Sequence, residues 1–119
     1  MDINQNSILS VYFWKRSPSS VEEIDEVKIT QIKNTFSFQC AHVPSKKEQD
    51  CFFAKLIEII DDTEEQYRGM KYEDDKSDFN LKFYLEITFK DHTYLAIKGL
   101  YPFGQPHFKD IIDLFSPLI

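Results

Sequence analysis

From residue 81 to residue 90 the chain alternates without a break. Leu81, Phe83, Leu85, Ile87 and Phe89 are separated by Lys82, Tyr84, Glu86, Thr88 and Lys90. Successive side chains of an extended backbone point to opposite faces, so this pattern predicts a strand with one face on a core and one toward water. Such a strand needs neighbours for its backbone groups and a second layer for its apolar face. The rest of the chain supplies candidates for both.

Residues 8 to 15 read as a first strand, because Val11, Tyr12, Phe13 and Trp14 are β-branched or aromatic and suit a pleated, half-buried surface. Arg16-Ser17-Pro18 ends it, and residues 19 to 25 read as a loop or a single turn. Two short strands, 27 to 32 and 35 to 41, follow across Lys33-Asn34; in the second, Phe36, Phe38 and Cys40 share one face. Beyond Asp91-His92 a return strand, 94 to 98, makes an antiparallel hairpin with the alternating segment, and Gly99 ends it. A two-residue loop there pairs Phe89 with Tyr94 and Ile87 with Ala96, whereas a three-residue loop pairs Phe89 with Leu95 and Ile87 with Ile97. The second register keeps the core face apolar and is the expected one.

The clearest helix follows Pro44. Ser45 and Glu48 have the spacing of a capping box, in which hydroxyl and carboxylate each satisfy an unpaired amide of the first turn. Phe52, Phe53, Leu56, Ile57 and Ile60 then recur at helical spacing, with Lys55, Glu58 and Asp62 on the other side, which predicts a helix over 46 to 67. Residues 68 to 79 read as a polar loop. Pro106 suits the first turn of a last helix whose Phe108, Ile111, Ile112 and Phe115 line one face before Pro117 stops it. The order β-β-β-α-β-β-α predicts an α+β fold: one domain over residues 1–119, an antiparallel sheet of about five strands with two helices packed on one face.

With 42% hydrophobic residues, eleven Phe and only three Gly, the chain is neither disordered nor low-complexity, and 119 residues suffice for a core without metal or disulfide. No apolar run exceeds four residues, too short to cross a hydrocarbon layer about 30 Å thick. Met1-Asp2-Ile3-Asn4 lacks the basic and apolar start of a signal peptide, and two cysteines suit reduced thiols, so a cytoplasmic location is expected.

Charge is concentrated. Of 20 acids, nine (Glu58, Asp61, Asp62, Glu64, Glu65, Glu73, Asp74, Asp75, Asp78) fall between residues 58 and 78, against three bases there (Arg68, Lys71, Lys76). That segment carries the whole net charge of −6. Asp61, Asp62, Glu64 and Glu65 occupy the last turns of the predicted helix, where the macrodipole is already negative, and Asp61 and Glu65 are like charges at i, i+4. A breach of local rules without an evident compensation marks a candidate docking face for a basic partner. Tyr67 and Tyr72 flank the acidic run and Tyr84 faces away from the helices, and tyrosines beside a charged rim are common interface anchors.

No motif announces chemistry. Cys40, His42 and Cys51, with His92 or His107, do not reproduce the paired spacing of a zinc site, and Cys40 reads as a packed thiol. Glu73-Asp74-Asp75-Lys76-Ser77-Asp78 lacks the glycine and twelfth-position glutamate of a calcium loop. The three glycines form no phosphate loop, and His107, in the first turn of the last helix, reads as an incidental surface residue. Clustered basic residues for nucleic acid are also lacking. The expectation is a binding module, with no catalytic residue, cofactor or metal.

In size, charge and the ending made of a strand, Gly99, Pro106 and an amphipathic helix, the chain resembles the immunity proteins of bacterial toxin systems. The resemblance implies a protein that neutralises a basic cognate toxin by occluding its active site. Asp61, Asp62, Glu64, Glu65, Asp74 and Asp75 then meet toxin lysines or arginines, and Tyr67, Tyr72 and Tyr84 serve as anchors. The alternatives are an accessory or regulatory domain acting through self-association or protein binding, and a phage-type acidic inhibitor that mimics nucleic acid.

Overall fold

The computed structural model describes residues 4–16, 25–67, 71–73, 81–101 and 107–119. Six strands and two helices follow a short 3-10 turn at Gln5–Ser7: β1 (Ile8–Arg16), β2 (Asp25–Ile32), β3 (Thr35–Gln39), α1 (Lys46–Tyr67), β4 (Lys71–Glu73), β5 (Leu81–Phe89), β6 (Tyr94–Tyr101) and α2 (His107–Phe115). The six strands lie in one sheet of order β3-β2-β1-β5-β6-β4, antiparallel except for β4. The α+β architecture, the helices on one face and, apart from the added β4, the order of the elements agree with the expectation from sequence.

One apolar cluster joins sheet and helices. Val11 and Phe13 of β1, Val27 and Ile29 of β2, Phe83, Leu85 and Ile87 of β5 and Leu95 and Ile97 of β6 meet Phe53, Leu56 and Ile60 of α1 and Ile111 and Phe115 of α2. Phe115 stacks on Phe13 at 4.2 Å between ring centroids, and Phe52 meets Phe115 edge-on at 5.3 Å. α1 starts as expected: the Ser45 amide donates to Glu48 Oε1 at 3.0 Å, and the Glu48 amide donates to Ser45 Oγ at 3.3 Å.

Four local expectations change. The β5–β6 hairpin pairs Ile87 with Leu95 and Leu85 with Ile97, so neither of the two registers weighed from sequence forms. Its loop is Lys90-Asp91-His92: the His92 amide donates to Phe89 O at 3.0 Å, and His92 takes a φ of 68°, the left-handed residue that ends a three-residue loop. The expected apolar matching survives because the pairing moves by two residues, which keeps every side chain on its face.

Strand β6 continues through Gly99, opposite Phe83, to Tyr101. Glycine lowers strand propensity, but the ladder from β5 outweighs that local preference. Residues 71–73, inside the expected polar loop, form β4, which pairs parallel with β6, Lys71 with Ala96 and Tyr72 with Ile97. An unpaired edge of backbone donors and acceptors recruits a polar segment that has no periodicity of its own. Strand β3 ends at Gln39, after which the chain bends and the His42 amide donates to Leu118 O at 3.1 Å.

In β1 the register shifts between Ile8 and Ser10, so Ile8 is fully buried and Leu9 exposed. That bulge carries the strand end under the 3-10 turn, whose Ser7 carbonyl accepts from the Lys90 amide at 2.9 Å.

Candidate functional site

Both helices cover one face of the sheet, and on the described residues the other face is open. The alternation that buries Val11 and Phe13 turns Ser10, Tyr12 and Trp14 outward, and the one that buries Phe83, Leu85 and Ile87 turns Tyr84, Glu86 and Thr88 outward. Because β1 lies beside β5, Trp14 falls opposite Tyr84 and Tyr12 opposite Glu86; on the other side Trp14 faces Glu26 and Tyr12 faces Lys28. Three half-buried aromatic rings thus gather in the middle of the open face.

Their geometry is specific. The Tyr12 and Tyr84 rings meet edge-on at 6.2 Å, and Trp14 and Tyr84 lie 6.3 Å apart at 27°. The Tyr12 hydroxyl donates to Glu26 Oε2 at 2.7 Å, and the Tyr84 hydroxyl donates to Glu86 Oε2 at 2.6 Å. Lys28 Nζ lies 5.7 Å above the Tyr12 ring and 3.6 Å from Glu26 Oε1. Tyr94, opposite Thr88, extends the patch with an exposed ring, and Ala96, opposite Glu86, is buried.

Electrostatics keep both phenols protonated. The hydrogen bond to Glu26, then burial and the negative charges of Glu26 and Glu86, push Tyr12 up to about 12. Burial, then the bond to Glu86 and its charge, raises Tyr84 as well. The phenols are therefore hydrogen-bond donors rather than nucleophiles near neutrality. Each bonded glutamate retains acceptor capacity for a lysine or arginine.

The residues singled out from sequence separate. Asp61 is exposed on α1, and Asp62, Glu64, Glu65 and Tyr67 belong to the last turns of that helix. Tyr72 lies in β4 opposite Ile97, and Asp74 and Asp75 lie outside the described residues. Tyr84 sits on the open face. Asp61 and Tyr84 are thus on opposite layers of the sandwich and do not share a surface. Tyr12, Trp14, Glu26, Lys28, Glu86 and Tyr94 join this face without a signal in the sequence that marks them as a site. The period-two pattern of each strand gives the face of each residue, but the adjacency of β1 and β5 does not show in it.

The cysteines stand apart from this face. Cys40 packs partly against the core, donates Sγ to His42 O at 3.5 Å, and has its thiol raised by burial. Cys51 is exposed in a groove of about 770 Å³ on the helical side, beside His42, Lys47, Lys55 and Asp110. Among the described residues no group of three or more His, Cys, Asp or Glu is arranged to hold a metal ion. Nor is any helix among them long and apolar enough to cross a membrane.

Compared with known proteins, the chain matches no family model, no curated protein and no solved structure.

Proposed function

We propose that this chain is a non-enzymatic protein-binding module that neutralises a basic toxin domain by covering its active site, in the manner of an immunity protein. The observation that carries the reading is the open-face cluster of Tyr12, Trp14 and Tyr84, with both phenols tied to the carboxylates Glu26 and Glu86. Tyrosine and tryptophan supply large contact area at low entropic cost and dominate interface energetics. A carboxylate held beside each ring adds a charge-assisted acceptor for a basic partner. The acidic segment 58 to 78 has a different part in this reading. Asp61 lies on the far layer, so its charge acts over distance, raising the encounter rate rather than making the contact.

The test is affinity capture from the native host with the tagged protein, washed at low and then high salt, alongside a Trp14→Ala, Tyr84→Ala variant. One stoichiometric basic partner should elute as salt rises and be absent from the variant. Capture that the double variant leaves unchanged, or recovery of no partner, refutes the reading.

A further inference from the structure

β3 ends the sheet on one side and β4 on the other. The β2–β3 hairpin turns through Lys33 and Asn34, both at positive φ (51° and 65°), and pairs Ile32 with Thr35, Thr30 with Ser37 and Lys28 with Gln39. In a hairpin closed by two residues the pair beside the loop exchanges hydrogen bonds, and alternate pairs do so after it. Thr35, Ser37 and Gln39 therefore direct their backbone groups to β2. Phe36 and Phe38 direct theirs outward, on the side where the sheet order ends.

Among the described residues this edge lacks three of the usual protections. Thr-Phe-Ser-Phe-Gln contains no charge and no proline, and its register with β2 runs without a bulge. It is also nearly the same read in either direction. Turned about Ser37, Phe36 falls opposite Phe38 and Thr35 opposite Gln39, so a two-fold operation matches apolar with apolar on one face and uncharged polar with polar on the other.

We infer that β3 pairs antiparallel with β3 of a second copy of this chain about a two-fold axis at Ser37, joining two sheets into one. The outward N–H and C=O of Phe36 meet those of Phe38 in the second copy, reciprocally on both sides of the axis, and Ser37 faces its own counterpart in a non-hydrogen-bonded pair. Charge favours this edge over the other. Residues 25 to 43 hold two acids and two bases, whereas β4, the strand at the far edge, falls within the stretch of sequence that carries the net charge of −6.

Light scattering on a dilution series of the intact chain gives the first reading: a mass of twice 14.1 kDa when concentrated, falling to 14.1 kDa on dilution. Ser37→Lys sets like charges across the axis without touching the core, and should give the single-chain mass throughout, with an unchanged circular dichroism spectrum and the melting temperature of the diluted native chain. In a Cys40→Ser, Cys51→Ser background, Ser37→Cys should oxidise to a covalent dimer, because non-hydrogen-bonded pairs bring Cα atoms to about 4.5 Å, within disulfide reach. Thr30→Cys, exposed on the inner neighbouring strand, should not. A single-chain mass at every concentration overturns the inference, and so does a dimer that survives Ser37→Lys and leaves Ser37→Cys uncrosslinked.

Discussion

Tyr12 and Tyr84 meet edge to face on adjacent strands, 6.2 Å between ring centroids, and each phenol donates to a different glutamate, Glu26 and Glu86. The contact ties β1 to β5 at the middle of the sheet, on the face away from the helices. It also has a signature in alkaline solution.

Tyr12 titrates at about 12 rather than near 10, through its bond to Glu26, burial and the neighbouring carboxylates. A raised phenol stabilises the fold fully below its unfolded value and loses that contribution as pH rises through its folded value. The stability difference between the native chain and Tyr12→Phe should be constant up to about pH 10 and shrink above it. Urea melts at a series of alkaline pH values check this, and a difference that stays flat from pH 9 to the limit of native stability contradicts it.

The two acidic surfaces should separate kinetically once a partner is in hand. Reversal of Asp61, Asp62 and Glu65 to lysine on the α1 side should slow association about tenfold at low salt and leave dissociation unchanged. Reversal of Glu26 and Glu86 should chiefly speed dissociation, since their carboxylates sit beside the proposed anchors. Surface-based binding kinetics at two ionic strengths distinguishes the two; equal effects on both rates would show a single contact surface.

Ser45→Ala should destabilise the chain by about 1 kcal/mol, because it removes the acceptor of the Glu48 amide at the start of α1. Glu48 titrates below the ordinary carboxylate value, first through the bond from the Ser45 amide and then through the Ser45 side chain. A lowered carboxylate contributes above its unfolded value and loses that contribution as pH falls through its folded one. The disadvantage of Glu48→Gln should therefore be present at neutral pH and vanish in acid, as followed by chemical denaturation.

Phe115→Ala should cost about 3–5 kcal/mol, the range for emptying a core position of an aromatic ring. The ring is fully buried, stacked on Phe13 and edge-on to Phe52, so its loss opens a cavity where sheet, α1 and α2 meet. Equilibrium unfolding should show the shift without a change in far-ultraviolet circular dichroism under native conditions.

Local chemistry by itself determined much of this protein. The capping box at Ser45 and Glu48 and the apolar stripe from Phe52 to Ile60 place α1 over the same residues in sequence and structure. Leu81, Phe83, Leu85, Ile87 and Phe89 likewise mark β5, since periods of 2 and 3.6 record which side chains must leave water. The turn at Lys33-Asn34 was legible because two residues between strands leave little choice of geometry. Other features depend on partners distant in the chain. That β1 lies between β2 and β5, that β4 is recruited to β6, and that β6 runs through Gly99 are settled by backbone groups seeking ladder partners, for which apolar periodicity carries no address. The candidate site belongs to this second kind. Tyr12, Trp14, Tyr84, Glu26 and Glu86 come from three strands and become one surface only when β1 takes its place between the other two.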